Sequence, residues 1–448
     1  MPPRMRRSRV TRRDVLRGIG AAGGAAAAHG LLGGLGPRAS AQESVTLTVW
    51  DNYTRPVESQ VVDTLSQEFQ DAHPGVTINR TTRSFDDLKA TARLALSSDD
   101  GPDICQVNQG LSDMGAMVQG GILTDLTPYA DRYGWRERIS PGVVARNSFT
   151  PDGATFGEGN LFGVPTTAEL IGVFYNRGKM SALGAQPPAT FADLEALLAQ
   201  LKEAGETPIN FGNLDGYQAI HIYGELQNLG IDRAYLDNFI YGRGGVSFAV
   251  PASERAAATL QNWAESEYFT DGFEGIGGDD AIAAFANGQG ATMITGSWIS
   301  GEIAEDPAAF GFFLTPPETA GAAKLSVGGT STAYAIRNGS PNTELAAEYI
   351  DWLTSDRATQ LWTEAQIVSV GVDPNAVEPG TLFGDLVGAW GRLNETDTVG
   401  HYLDWATPTF YDTLVAALQE LLAGQTDPAA FVQRVEEDYA AYLAEKGV

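Results

Sequence analysis

The residues of this chain best equipped for chemistry are acids, amides and flat aromatics, most of them placed just after an expected strand. Glu169 ends a short polar run, Pro165-Thr166-Thr167-Ala168-Glu169, set between two apolar segments at 161–164 and 170–175. A carboxylate in that setting is costly without a donor. Asn213-Leu214-Asp215-Gly216-Tyr217 follows an apolar run at 208–211, and Trp298 follows one at 291–295 after two small residues, Gly296 and Ser297. Asn108 and Gln109 follow the run at 104–107, and Tyr53 and Thr54 follow the one at 45–50. Tyr411, its rival Trp405, and Gly329, which would offer bare backbone, complete the set. Carboxylates and amides satisfy hydroxyl groups, and an aromatic face covers an apolar C–H surface. Taken singly, the same residues also suit a buried strand-end acid, a turn-forming Asn/Asp/Gly cluster or a core tryptophan.

Bond-breaking chemistry is harder to assemble. Beyond the first 41 residues the chain has no G-x-S-x-G, Walker loop or dinucleotide G-x-G-x-x-G. His73, His221 and His401 are scattered without ligand spacing, so no metal and no cofactor is expected. Cys105 sits in an apolar strand and reads as a small core residue. Glu169 and Asp215 remain open as a glycosidase acid pair, which would need a separation of roughly 5–5.5 Å or 6.5–9.5 Å.

The elements that must position these residues alternate. A strand at 45–50, a helix from about Pro56 with Val57, Val61, Leu65 and Phe69 on one stripe, and a strand at 76–80 come first. A helix opened by a capping-box-like Ser84-Phe85-Asp86-Asp87 and a strand at 104–107 follow. That order predicts α/β architecture with a mostly parallel sheet. Further on, a helix capped by Thr190 leads to strands at 208–211, 291–295, 310–315 and 332–336, and two C-terminal helices end the chain. Open sheets of this kind place ligands beyond the carboxyl ends of their strands, where the residues above fall.

The stretch LFGVPTTAELIGVFYNRGK at 161–179, with -GVP- and then -YNR-, resembles the inter-lobe crossing of the family 1 extracellular solute-binding proteins, the maltose-binding-like sugar receptors of ABC importers. TVW, HPGV, PDI and GGILTDLTPYA occur in that family's order, and the resemblance runs over essentially all of 45–448. It implies two lobes, each a mostly parallel sheet flanked by helices, with a hinge between them. The first lobe would hold 42–168 and 327–368, the second 169–326 and 369–448. It further implies that Glu169 and Asp215 accept sugar hydroxyls, with Asn213 in the same loop, and that Tyr217 and Trp298 pack on sugar rings. The implied partners are a carbohydrate, an oligosaccharide by the family's habit, and a membrane-embedded ABC permease. The rivals are an exported carbohydrate-active enzyme and a same-fold receptor for a polyamine, iron or a glycerol phosphodiester.

Compartment and charge agree with export. Arg12-Arg13 ahead of Val15-Leu16 is a twin-arginine signal, 18–36 is a weakly apolar stretch broken by glycine, and Ala39-Ser40-Ala41 fits a cleavage site. Residues 1–41 are therefore expected to leave, with Gln42 as the mature start, although an uncleaved leader would act as an anchor. The leader holds no cysteine for lipid attachment. Its removal takes away eight arginines and one aspartate, so the formal charge of −27 becomes −34 on 407 residues. Such acidity argues against nucleic acid or an anionic membrane surface as partner. An extracytoplasmic monomer without stable membrane insertion is the expectation.

Overall fold

Val45–Asp51 (β1) opens the described part of this computed structural model, which covers residues 44–448 apart from 304, 305 and 307. The expected twin-arginine signal, cleavage site and mature start at Gln42 lie outside the described residues. Alternation sends Leu47 and Val49 fully into the core. Pro56–Ala72 (α1) starts on a proline, where the missing N–H leaves no helical bond unmade. Val61, Leu65 and Phe69 are buried as expected, but Val57 is 36% exposed. A spacing of four advances about 40° per step, so the first member of such a stripe rotates off the buried face.

Val76–Thr82 (β2), Phe85–Leu96 (α2) and Ile104–Val107 (β3) follow, and β1 runs parallel to both β2 and β3. Ser84 caps α2 by accepting from the Asp87 N–H at 3.2 Å. The reciprocal box forms instead at Thr190 and Asp193, at the start of Phe191–Glu203 (α3).

Between α2 and α3 the chain crosses the molecule on a nine-residue strand, Ala168–Asn176 (β4). Tyr217–Gln227 (α4) and Gly278–Ala286 (α5) precede two strands that flank β4, Thr292–Gly296 (β5) and Phe310–Phe313 (β6). Gly328–Thr330 (β7) pairs with the first three residues of β4. Ala333–Ile336 (β8) then closes the first sheet, whose order is β8-β3-β1-β2. The C-terminal helices are Phe410–Leu422 (α6) and Pro428–Lys446 (α7).

Two details depart from the sequence reading. The first sheet is parallel except for β8, but β5, β6 and β7 all run antiparallel to β4. Strand direction here is set by which segments the long crossing strand meets, a tertiary fact that local pattern does not carry. The expected strand at 208–211 shrinks to bridges made by Ile209 with Phe269 and Thr292. Beside the start of β4, Thr167 bridges Ser369 and the Ala168 N–H donates to Val368 O at 2.9 Å. Three segments, 166–170, 328–331 and 368–370, thus run side by side between the two sheets.

Candidate functional site

A cavity of about 810 Å³, open to solvent, collects the ends of these elements. The carboxyl ends of β1 and β3 bring Tyr53, Asn108 and Gln109 to its wall. The crossing strand brings Glu169, the first turn of α4 brings Tyr217, and the turn after β5 brings Trp298. Tyr411 and Trp405 come from the C-terminal region. Eight of the twelve residues singled out from sequence therefore share one pocket.

Their commitments differ. Tyr53 is buried and its hydroxyl meets Thr166 Oγ1 at 2.6 Å and donates to Ser331 Oγ at 3.2 Å. Gln109 donates to Ser331 O at 2.9 Å and is 1% exposed, and Asn108 donates to Asp113 at 3.0 Å. Trp405 is almost wholly buried, whereas Tyr411 carries the Lys89 ammonium 3.4 Å above its ring. Trp298 is half-buried, its indole edge-on to His221 at 5.5 Å. A Cβ on Gly296 would stand 1.7 Å from Trp298 Cζ3, so the indole lies directly on that glycine.

Four residues do not reach the wall. Asn213 is buried and accepts from the Ala219 N–H at 3.1 Å, fixing the start of α4. Asp215 accepts from the Gly278 N–H at 2.7 Å and from Gln218 at 3.1 Å, tying α4 to α5. Both act as turn acceptors, the other role open to an Asn/Asp/Gly cluster. Asp215 accordingly does not share the pocket with Glu169 as an acid pair. Thr54 is exposed outside the cavity, and Gly329 is buried behind Trp405.

The pocket also holds residues that the sequence did not single out. Arg55, the residue before α1, reaches Asp279 at 3.0 Å and Glu58 at 3.7 Å, and pairs with Glu302. It thereby joins the first-sheet side to α5 and the turn beyond β5. Glu58, His221, Tyr402 and Asp404 line the interior. Their signals were weak: Arg55 and Glu58 look like an ordinary charged helix start, and Tyr402 and Asp404 lie in an irregular stretch without periodicity. Burial pushes His221 down to about 3, so its imidazole is neutral, and raises Asp404 to about 6.

Glu169 Oε2 accepts from the Tyr402 hydroxyl at 3.3 Å. Burial, followed by the negative charge of Glu58, pushes the Glu169 carboxyl up to about 8. The folded protein therefore holds this proton more tightly than the unfolded chain, and between the ordinary carboxylate value and pH 8 stability falls as pH rises. Glu169→Gln removes that fall. Because the residue faces an open pocket, the expected gain over the parent is about 1–3 kcal/mol by pH 9, and nothing at pH 4. Melting curves across this range check it; a constant offset between the two proteins would refute the assignment.

Among the described residues no group of three or more His, Cys, Asp or Glu side chains is arranged to hold a metal ion. None of the described helices is long and apolar enough to cross a membrane.

The family described as bacterial extracellular solute-binding protein matches residues 55–360. The multiple sugar-binding protein of Streptococcus mutans is 24% identical over 218 residues, 47% of this chain and 51% of that protein. The chain thus spans about half the length of this curated relative. A structure from work on xylan utilization by the thermophilic bacterium Caldanaerobius polysaccharolyticus superposes with TM-score 0.75 at 20% identity, covering 88% of this chain and 99% of the other. A chitin oligosaccharide binding protein superposes with TM-score 0.72 at 19% identity, covering 89% and 99%. These likenesses establish the fold as the two-lobe, mixed helix and sheet architecture of periplasmic binding proteins.

Proposed function

The chain belongs to the bacterial extracellular solute-binding protein family, and from that premise we propose that it captures a carbohydrate between its lobes and hands it to an ABC permease. One observation carries the reading: an acid, Glu169, and aromatic side chains Trp298, Tyr217 and Tyr411 converge on one cavity, with Tyr53 and Asn108 on its other side. Acceptors for hydroxyls and flat faces for C–H surfaces are what a sugar requires. The similar proteins named for sugars and oligosaccharides support it. An oligosaccharide that protrudes from the open side of the cavity is the ligand class we favour.

The first lobe in this reading comprises 42–168 and 327–368, and the second 169–326 and 369–448. The three segments running side by side between the sheets form the hinge. Ligand closes the lobes because it contacts both of them, and only differential binding to the closed form shifts that equilibrium. Export by the twin-arginine route to an extracytoplasmic location, and a monomeric state, complete the proposal.

Mass spectrometry of ligand co-purified from the native host, followed by calorimetric titration and small-angle scattering with that ligand, tests it. A bound sugar recovered unchanged, together with compaction at saturation, is the expected result. Turnover of the sugar into product would make the protein an enzyme instead. A scattering profile unmoved at saturation would remove the hinge.

A further inference from the structure

The charges facing the cavity do not balance. Glu58, Glu169 and Asp404 line it, and the basic side chain on its wall is Arg55. That guanidinium already faces Glu58, Asp279 and Glu302. The next cation, Lys89, is held 3.3 Å from Asp113 and lies against the Tyr411 ring. Glu58 makes the imbalance concrete. It is 4% exposed, it lines the cavity, and its Oε2 has no hydrogen-bond donor, with Arg55 Nη1 no nearer than 3.7 Å. A buried carboxylate oxygen without a donor costs free energy that an incoming donor recovers.

We infer that the pocket is built for a hydroxyl-rich ligand carrying a protonated amine, an amino sugar or an amine-bearing oligosaccharide. This rests on the sugar-receptor reading and narrows its ligand class. A neutral sugar can donate hydroxyls to these acids but brings no charge to them. An ammonium group donates three hydrogen bonds and its charge favours the ionised form of an acid that burial otherwise keeps protonated, and charge-assisted bonds are about twice as strong as neutral ones. Trp298, Tyr217 and Tyr402 also offer π-faces that attract a cation. The charge of Glu58 makes ionisation of Glu169 harder, and a cation near them relieves that repulsion.

The test uses purified protein freed of bound ligand and matched pairs of sugars: glucosamine with glucose, galactosamine with galactose, and the β-1,4-linked glucosamine trimer with cellotriose. Titrations run in low salt at about pH 6.5, where an amine is still charged. In a pair that binds, the amine member is expected to bind at least ~10-fold tighter, a difference of about 1.4 kcal/mol. That ratio should shrink as salt is added. Glu58→Gln, which preserves shape, should narrow the ratio between the two members of the pair. A neutral member binding as tightly as its amine counterpart overturns the inference and leaves the sugar-receptor reading standing. A ratio unmoved by Glu58→Gln overturns the role given to that residue, and with it the inference. If no sugar of either kind binds and none co-purifies, both readings fall.

Discussion

Trp298→Ala is expected to weaken sugar binding by roughly 30- to 1000-fold, about 2–4 kcal/mol, while leaving the fold largely intact. The indole is only half-buried and lines the cavity, so much of its surface is available to ligand. Its position is imposed from below. Ser297 Oγ meets the Leu170 N–H and the Ala168 carbonyl, both at 3.3 Å, which locks the turn onto the crossing strand. Gly296 then gives the six-membered ring a surface without a side chain. A ring so fixed loses little conformational freedom on binding, which is why its contacts should appear nearly undiminished as affinity. Gly296→Ala is the companion variant. It keeps the tryptophan but drives a methyl group into the ring, so it should also lower affinity, by misplacing the indole. Calorimetric titration with thermal melting on each protein distinguishes site from core. A core tryptophan would cost about 3–5 kcal/mol of stability with affinity preserved in the folded fraction, and that result would sink the stacking role.

The first sheet was legible because its strands carry their own signals: Val45, Leu47 and Val49 alternate, and Ile104–Val107 is a short apolar run behind a turn. The helices were legible from periodicity and caps, as Thr190 and Asp193 illustrate. The antiparallel arrangement around β4 was not, since three partners arrive from distant parts of the chain. Trp298 and Glu169 were singled out because each follows or opens an apolar strand, and both line the cavity. The same rule also picked out Asp215, whose carboxylate caps a helix start off the cavity wall, and Gly329, which packs against Trp405. Position after a strand gives a residue access to the site region; the direction of its side chain depends on the neighbours. Arg55 and Glu58 escaped for the opposite reason. A charged pair at a helix start usually means solvent, and only the approach of Asp279 and Glu302 turns it into part of a pocket.

Lys324→Met should destabilise the protein by about 3–5 kcal/mol, the range for breaking a buried ion pair from one side. Lys324 and Glu225 are 5% and 2% exposed at their side chains, with Nζ to Oε2 at 2.6 Å. Lys324 also donates to Leu325 O at 2.9 Å, and the other oxygen of Glu225 accepts from the Val327 N–H. Val327 O in turn accepts from the Ile171 N–H at 2.8 Å. The pair therefore sits under the return segment and ties it, through α4, to the crossing strand. Methionine fills the lysine's volume but leaves Glu225 with a buried charge and no cation. Glu225→Gln in the same chain removes that charge while keeping an acceptor for Val327, so the double variant should recover most of the loss. A double-mutant cycle by denaturant unfolding measures the coupling, expected at 1 kcal/mol or more in order of magnitude for residues in direct contact. A single variant costing less than about 1 kcal/mol would mean that water reaches Glu225 and that the segment is held by packing alone. Because neither residue lines the cavity, the folded fraction of Lys324→Met should still bind ligand, which separates this variant from Trp298→Ala in the same assays.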